Sequence, residues 1–224
     1  MFERTIELIG EDNFNKIQNK TVLIVGLGGV GGFATEALAR SGINNIILID
    51  YDIIDKTNLN RQIISNQTNI GTYKVDEFQD RIKNINPDCN IYCHKMFLDK
   101  TNIDILNNYH IDYIVDACDS VQAKKLLIDY SINKNIKLIS SMGTANKIDA
   151  TKLEIIDIRK TSYDPLAKIL RKYVTDLKTN KKIMVISSTE QPIRKDKLST
   201  LIFVPATAGI LCANYIINDI IINT

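Results

Sequence analysis

The apolar run Thr21-Val22-Leu23-Ile24-Val25 passes directly into Gly26-Leu27-Gly28-Gly29-Val30-Gly31, and helical periodicity starts at Val30. Few folds accept that order. A short, wholly apolar strand is buried on both faces. Glycines at the first, third and sixth positions let the chain turn tightly and bring backbone close to a phosphate. The helix that follows presents free N–H groups and a partial positive charge to it. By itself the pattern suits NAD or FAD as well as ATP. Asp50 ends the next strand, 19 residues beyond Gly31, where it can accept hydrogen bonds from a ribose.

The alternation continues. Val30 to Arg40 reads as a helix with Phe33, Ala34, Ala37 and Leu38 on one face and Gly42 as a stop. Asn45 to Asp50, Asn90 to Met96, Tyr113 to Asp116 and Lys137 to Ser140 read as strands. Lys74 to Ile85 and Val121 to Asn133 read as the helices among them. Apolar strands separated by helices predict an α/β, Rossmann-like fold, with a mostly parallel sheet covered on both faces. After Gly143 the rhythm changes. Lys152 to Ile158 and Ile183 to Ile186 are strand-like. Asp164 caps a helix with Pro165 in its first turn, and Ala206 to Ile221 is a last helix. The reading is a nucleotide-binding domain over 1–145, with a small α+β extension over 146–224 continuing the same globular unit.

Charge separates these two parts. Net charge is only +2, but residues 151–200 hold 12 Lys/Arg against 6 Asp/Glu, while residues 1–150 hold 16 against 19. A basic second part suggests a polyanionic partner, or else a solvated basic face. Cys89, Cys93, Cys118 and Cys212 form no Cys-x-x-Cys pair, so no structural zinc is expected. Free thiols fit a reducing cytoplasm. No signal pattern opens the chain. Leu201 to Ile222 is apolar but broken by Pro205, Gly209, Asn214, Asn218 and Asp219. A buried strand and core helix fit it better than a membrane span, with peripheral membrane contact left open.

Further residues separate the nucleotide readings. Asp50-Tyr51-Asp52 is followed by Asn58-Leu59-Asn60-Arg61-Gln62 and by Lys74 at a helix start. A dehydrogenase has no need of Arg and Lys near its pyrophosphate loop. A triphosphate does, because charge builds as pyrophosphate leaves. Arg61 offers forked donors and Lys74 a point charge. Asp116-Ala117-Cys118-Asp119 follows the fourth strand, at the switch point where ligands bind in such sheets. Asp119 there can bind magnesium or cap the following helix.

Taken together, Gly26 to Gly31, Asp50-x-Asp52, Asn58-x-x-Arg61-Gln62, Lys74 and Asp116-x-x-Asp119 resemble the ubiquitin-activating-enzyme-like adenylation family. The resemblance implies ATP and magnesium as cofactors and attack of a carboxylate on the α-phosphate. It implies nucleotide binding by Gly26, Gly28, Gly29, Gly31, Asp50, Asp52, Asn58, Arg61, Gln62 and Lys74. It further implies Asp119 on the metal, and catalytic roles for Arg61, Lys74, Asp119 and Arg4. Arg4 would reach the ATP of a second subunit in a homodimer. Arg4-Thr5-x-x-Leu8-Ile9-Gly10, Ser140-Ser141-Met142-Gly143-x-x-Asn146-Lys147 and Lys160-Thr161-Ser162-x-x-Pro165-Leu166-Ala167 are similar to the branch that dehydrates threonylcarbamoyladenosine in tRNA. That branch implies an acyl-adenylate at position 37 of the tRNA, followed by ring closure. The alternative is adenylation of the C-terminus of a small ubiquitin-like sulfur-carrier protein. Residues 143–200 hold no cysteine for a sulfur relay. Arg159, Lys160, Lys168, Arg171, Lys172, Lys178, Lys181, Lys182, Arg194, Lys195 and Lys197 form the candidate tRNA path, with Tyr163 and Tyr173 as candidate stacking partners.

Overall fold

A computed structural model describes residues 1–223. The chain opens with helices α1 (Glu3–Ile9) and α2 (Glu11–Gln18). It continues through β1 (Thr21–Val25), α3 (Gly31–Arg40), β2 (Asn45–Ile49), α4 (Lys74–Ile85), β3 (Asn90–His94), β4 (Tyr113–Asp116), α5 (Val121–Lys134) and β5 (Lys137–Ser141). The remainder comprises β6 (Leu153–Asp157), α6 (Pro165–Asp176), β7 (Met184–Ser188) and α7 (Phe203–Asn223). Seven strands form one sheet in the order β3-β2-β1-β4-β5-β7-β6, and all pairs are parallel except β6 with β7.

The expected parallel α/β architecture is therefore present, with its order reversing between β1 and β4. Strand periodicity sorts the core into two layers. Val22 and Ile24 of β1 face one side, packed with Ala34 and Leu38 of α3, Phe78 of α4 and Ile216 of α7. Leu23 and Val25 face the other, packed with Leu127 of α5 and Leu170 of α6.

Several details differ from the sequence expectation, among them the buried strand expected before the last helix: residues 201–202 form none, and the helix itself carries the apolar stretch. The sequence pattern marks no element in the first twenty residues, yet they hold α1 and α2. The helix α1 buries none of its residues, so it carries no apolar stripe to read. The helix α7 starts at Phe203 rather than Ala206, because Pro205 sits in its first turn, where no N–H partner is required. β7 runs on to Ser188, its serines buried in the sheet.

By length and composition α7 could cross a membrane. Here it lies along α3 and the sheet, with Val204, Ala208, Cys212, Ala213, Ile216 and Ile220 buried. Gly209 permits that contact. A Cβ at this position would stand 2.2 Å from the Val30 carbonyl oxygen and 2.9 Å from the Phe33 Cβ.

Candidate nucleotide site

A cavity of about 920 Å³ opens beyond the carboxyl ends of β1 and β4. The glycine turn forms its floor. Gly26 has φ +88°, and its N–H donates to the Ile49 carbonyl at 2.9 Å. A side chain there would lie 2.8 Å from the backbone of Ala117 and Cys118. A Cβ on Gly31 would sit 1.8 Å from the Gly26 carbonyl oxygen. These two positions admit only glycine. Gly28 and Gly29 line the open part of the cavity.

The acidic end of β2 meets the start of α4. Asp50, 7% exposed, accepts the Leu27 N–H at 2.5 Å and the Asp52 N–H at 2.8 Å. Burial raises its pKa, while the Lys74 charge and the two backbone donors pull it back. Lys74 Nζ meets Asp52 Oδ2 at 2.7 Å, with the lysine side chain only 4% exposed and the aspartate 44%. Lys74 is thus no ordinary surface cation: it is held in place at the cavity wall by a carboxylate that water can still reach.

The segment from Asp55 to Gln62 supplies the next wall. A short 3₁₀ turn, Lys56–Asn58, is closed by a capping box in which Asp55 accepts the Thr57 N–H and Asn58 Oδ1 accepts the Asp55 N–H. This fixes Asn58, which is buried, and sets Arg61 one turn on. Arg61 Nη1 donates to the Thr57 carbonyl at 2.6 Å and to Asn60 Oδ1 at 3.0 Å, leaving Nε and Nη2 for a ligand. Gln62 is buried against the cavity, and its Oε1 has no hydrogen-bond partner. A buried acceptor left open in a cavity wall fits a site built for a polar ligand.

On the opposite side Asp119 lines the cavity, exposed, accepting no hydrogen bond and forming no ion pair. The choice between metal ligand and helix cap is decided on the cap: Ser120, not Asp119, accepts the Ala123 N–H to start α5. Among the described residues no three His, Cys, Asp or Glu gather as a metal cage. One free carboxylate does fit a magnesium ion that arrives on phosphate oxygens and keeps its waters. Cys118 also reaches the cavity, but burial and the neighbouring Asp116 carboxylate push its thiol well above the ordinary range. It is a protonated donor to Asp116 at 3.0 Å, not a thiolate nucleophile.

Sequence reasoning missed part of the wall. Met96, Phe97 and Leu98 follow β3, Thr144 and Ala145 follow β5, and Leu198, Ser199, Thr200 and Pro205 arrive from the end of the chain. The only signal was position, since loops after the carboxyl ends of strands border such sites. Tyr51 and Phe97 pack edge to face, with centroids 5.3 Å apart. Arg4 does not line this cavity. It is exposed on α1.

The basic residues after 150 fall into two groups. Arg159 bonds Asp157 and the Thr179 and Lys181 carbonyls, Arg171 holds Thr161, and Lys181 bonds the Ile132 carbonyl and Asn135. These three brace the fold. Lys160, Lys168, Lys172, Lys178, Lys182, Arg194, Lys195 and Lys197 are exposed. Tyr173 donates to Asp129 at 2.5 Å under Lys125, so it is packed rather than available for stacking, whereas Tyr163 is exposed.

A parallel sheet, a glycine turn at its switch point and converging cations and carboxylates define a nucleotide-binding α/β protein. The chain belongs to the ThiF family, whose model matches residues 2–218. It is similar to the tRNA threonylcarbamoyladenosine dehydratase of Bacillus subtilis, at 38% identity over 98% of this chain and 94% of the relative. A crystal structure of E. coli tRNA N6-threonylcarbamoyladenosine dehydratase in complex with ATP matches at a TM-score of 0.93 and 33% identity, covering 99% of this chain and 94% of that one. The adenylyltransferase and sulfurtransferase MOCS3 of Drosophila sechellia is 36% identical over 60% of this chain and 29% of its own length.

Proposed function

We propose that the chain is an ATP-dependent dehydratase of threonylcarbamoyladenosine at position 37 of tRNA. The supporting observation is the convergence of Arg61, Lys74 and Asp119 on a glycine-floored cavity, in a chain that matches such dehydratases along nearly its whole length. The triphosphate lies along the glycine turn with its ribose on Asp50 and its base against Met96 to Leu98. Arg61 and Lys74 hold the phosphates and take up charge as pyrophosphate leaves. Asn58, Gln62 and Asp52 complete the polar wall. Magnesium, held by Asp119, would supply a further positive charge on the phosphate oxygens.

The threonyl carboxylate attacks the α-phosphorus, forming an acyl-adenylate and releasing pyrophosphate. The neighbouring carbamoyl nitrogen then attacks the acyl carbon, loses its proton and expels AMP. The oxygen of the lost water leaves in AMP. Because both reacting groups belong to one nucleoside, no enzyme nucleophile is needed, in keeping with the protonated Cys118.

The exposed lysines and arginines from Lys160 to Lys197 line the tRNA path. The protein acts as a homodimer in which Arg4, on a helix with no buried residue, enters the second subunit's site. Four free thiols suit the cytoplasm. The outer side of α7, with Phe203, Ile210 and Ile222 exposed, is the face that peripheral membrane contact would use. AMP release is measured with ATP, magnesium and one of three acceptors: modified tRNA, unmodified tRNA or a sulfur-carrier protein. Release with modified tRNA alone is expected. Release with the carrier alone would replace this reading with the alternative one.

A further inference from the structure

Beneath Asp119 lies a charged pair that the chemistry above does not use. Asp116, at the end of β4, and Lys124, in the second turn of α5, are both fully buried. Lys124 Nζ donates to Asp116 Oδ1 at 3.1 Å, Ser140 Oγ at 3.2 Å and the Ser141 carbonyl at 2.8 Å. Asp116 Oδ1 also accepts the Cys118 thiol, and Oδ2 accepts Ser140 Oγ at 2.6 Å. One ammonium group therefore ties the start of α5 to the ends of β4 and β5.

Only three residues separate Asp116 from Ser120. The first, Ala117, is wedged against Gly26, and Ser120 is fixed as the cap of α5. Asp119 is thus held from both sides while its own carboxylate makes no hydrogen bond or ion pair. A lone buried charge would be costly, so the pair exists only as a unit.

We propose that the Asp116–Lys124 pair positions Asp119 for the metal that accompanies ATP. Lys124 acts through Asp116 and the Ala117–Cys118 backbone and touches no substrate. Without the pair, the turn loses its anchor and the Asp119 carboxylate loses its fixed position. The inference rests on the ATP reading above.

The test uses the full-length protein, with manganese as the probe. Binding of ATP is measured first in EDTA. The affinity of the ATP complex for manganese is then read from the paramagnetic resonance of the free ion. The paired variant Asp116→Asn with Lys124→Gln removes both charges but keeps hydrogen-bonding groups. It should bind ATP in EDTA as the unmodified protein does, and lose ~10-fold or more in manganese affinity, as outer-sphere changes at metal sites do. Asp119→Ala should match that loss.

Should the pair fail to fold, Ser140→Ala removes one hydrogen bond to Asp116 and should weaken manganese binding by roughly threefold. Unchanged manganese affinity in a folded variant overturns the inference. So does a parallel loss of metal-free ATP binding, which would make the pair a general support of the floor. Failure of the unmodified protein to bind ATP at all would instead overturn the nucleotide reading itself.

Discussion

At the floor of the cavity, backbone meets backbone. Gly26 abuts Ala117, Gly31 abuts the Gly26 carbonyl, and Asp116 and Lys124, both out of reach of water, hold the adjoining turn. At the rim, residues 191–199 are almost wholly exposed and hang from a few hydrogen bonds. Asn146, at φ +59°, donates its N–H to the Ser199 carbonyl and accepts the Ile193 and Ser199 N–H groups. Asn60 reaches the Thr200 carbonyl. Behind them Lys147, also buried, bonds the Gly143 carbonyl and Asp164. On the proposed reading the contrast would divide the work, with chemistry that needs fixed charge on the floor and recognition of a large anion at a rim whose cations stay in water. Local stability differs in the same way, since few buried contacts hold the rim.

The comparison breaks most sharply at the floor. Arg61→Ala or Asp119→Ala should lower the rate of AMP formation by about 10²–10³-fold, the scale of losing one charge-stabilising group. Thermal unfolding should barely move, because neither side chain is part of the core. Steady-state AMP assays beside a melting curve check both.

Among the exposed cations after residue 150, Lys172→Glu, Lys182→Glu and Lys195→Glu together should raise KM for tRNA by roughly tenfold or more and flatten its salt dependence. Affinity for ATP should not change. Reversing Arg171 instead would confuse the result, since that side chain holds Thr161.

Gly209→Ala tests how the floor is braced. The added methyl collides with the Val30 carbonyl, so stability should fall by about 1–3 kcal/mol. Calorimetry should show Tm lower by roughly 2–4 °C for each kcal/mol. Cys118→Ala should have the smallest effect, an activity change under about twofold, because the thiol serves only as a weak donor. Complete loss would mean that the thiol takes part in the reaction after all.

Much of the floor was legible in the sequence because its demands are local. A strand, a glycine turn and a helix are neighbours in the chain, and the sheet rule then places Asp50 and Asp119 beside them. Lys74 was named from a helix start, but its burial and its bond to Asp52 came only with the fold. The Asp116–Lys124 pair was not legible, since a lysine inside a helix ordinarily reads as a solvated residue. The rim was least legible. Asn146, Ser199 and Thr200 meet across tens of residues of sequence, and nothing local marks a loop that will border a cavity. The basic tract looked uniform as a string, yet Arg159, Arg171 and Lys181 brace the fold while their neighbours stay free.

The central claim is that this floor joins a carboxylate to the α-phosphate of ATP. It is tested most directly with tRNA whose threonyl carboxylate carries ¹⁸O in both oxygens. After a single turnover, mass spectrometry of the nucleotides should find one labelled oxygen in the phosphate of AMP. The nucleoside should have lost one water and kept the other label. Label in inorganic phosphate or pyrophosphate, with none in AMP, would contradict the account.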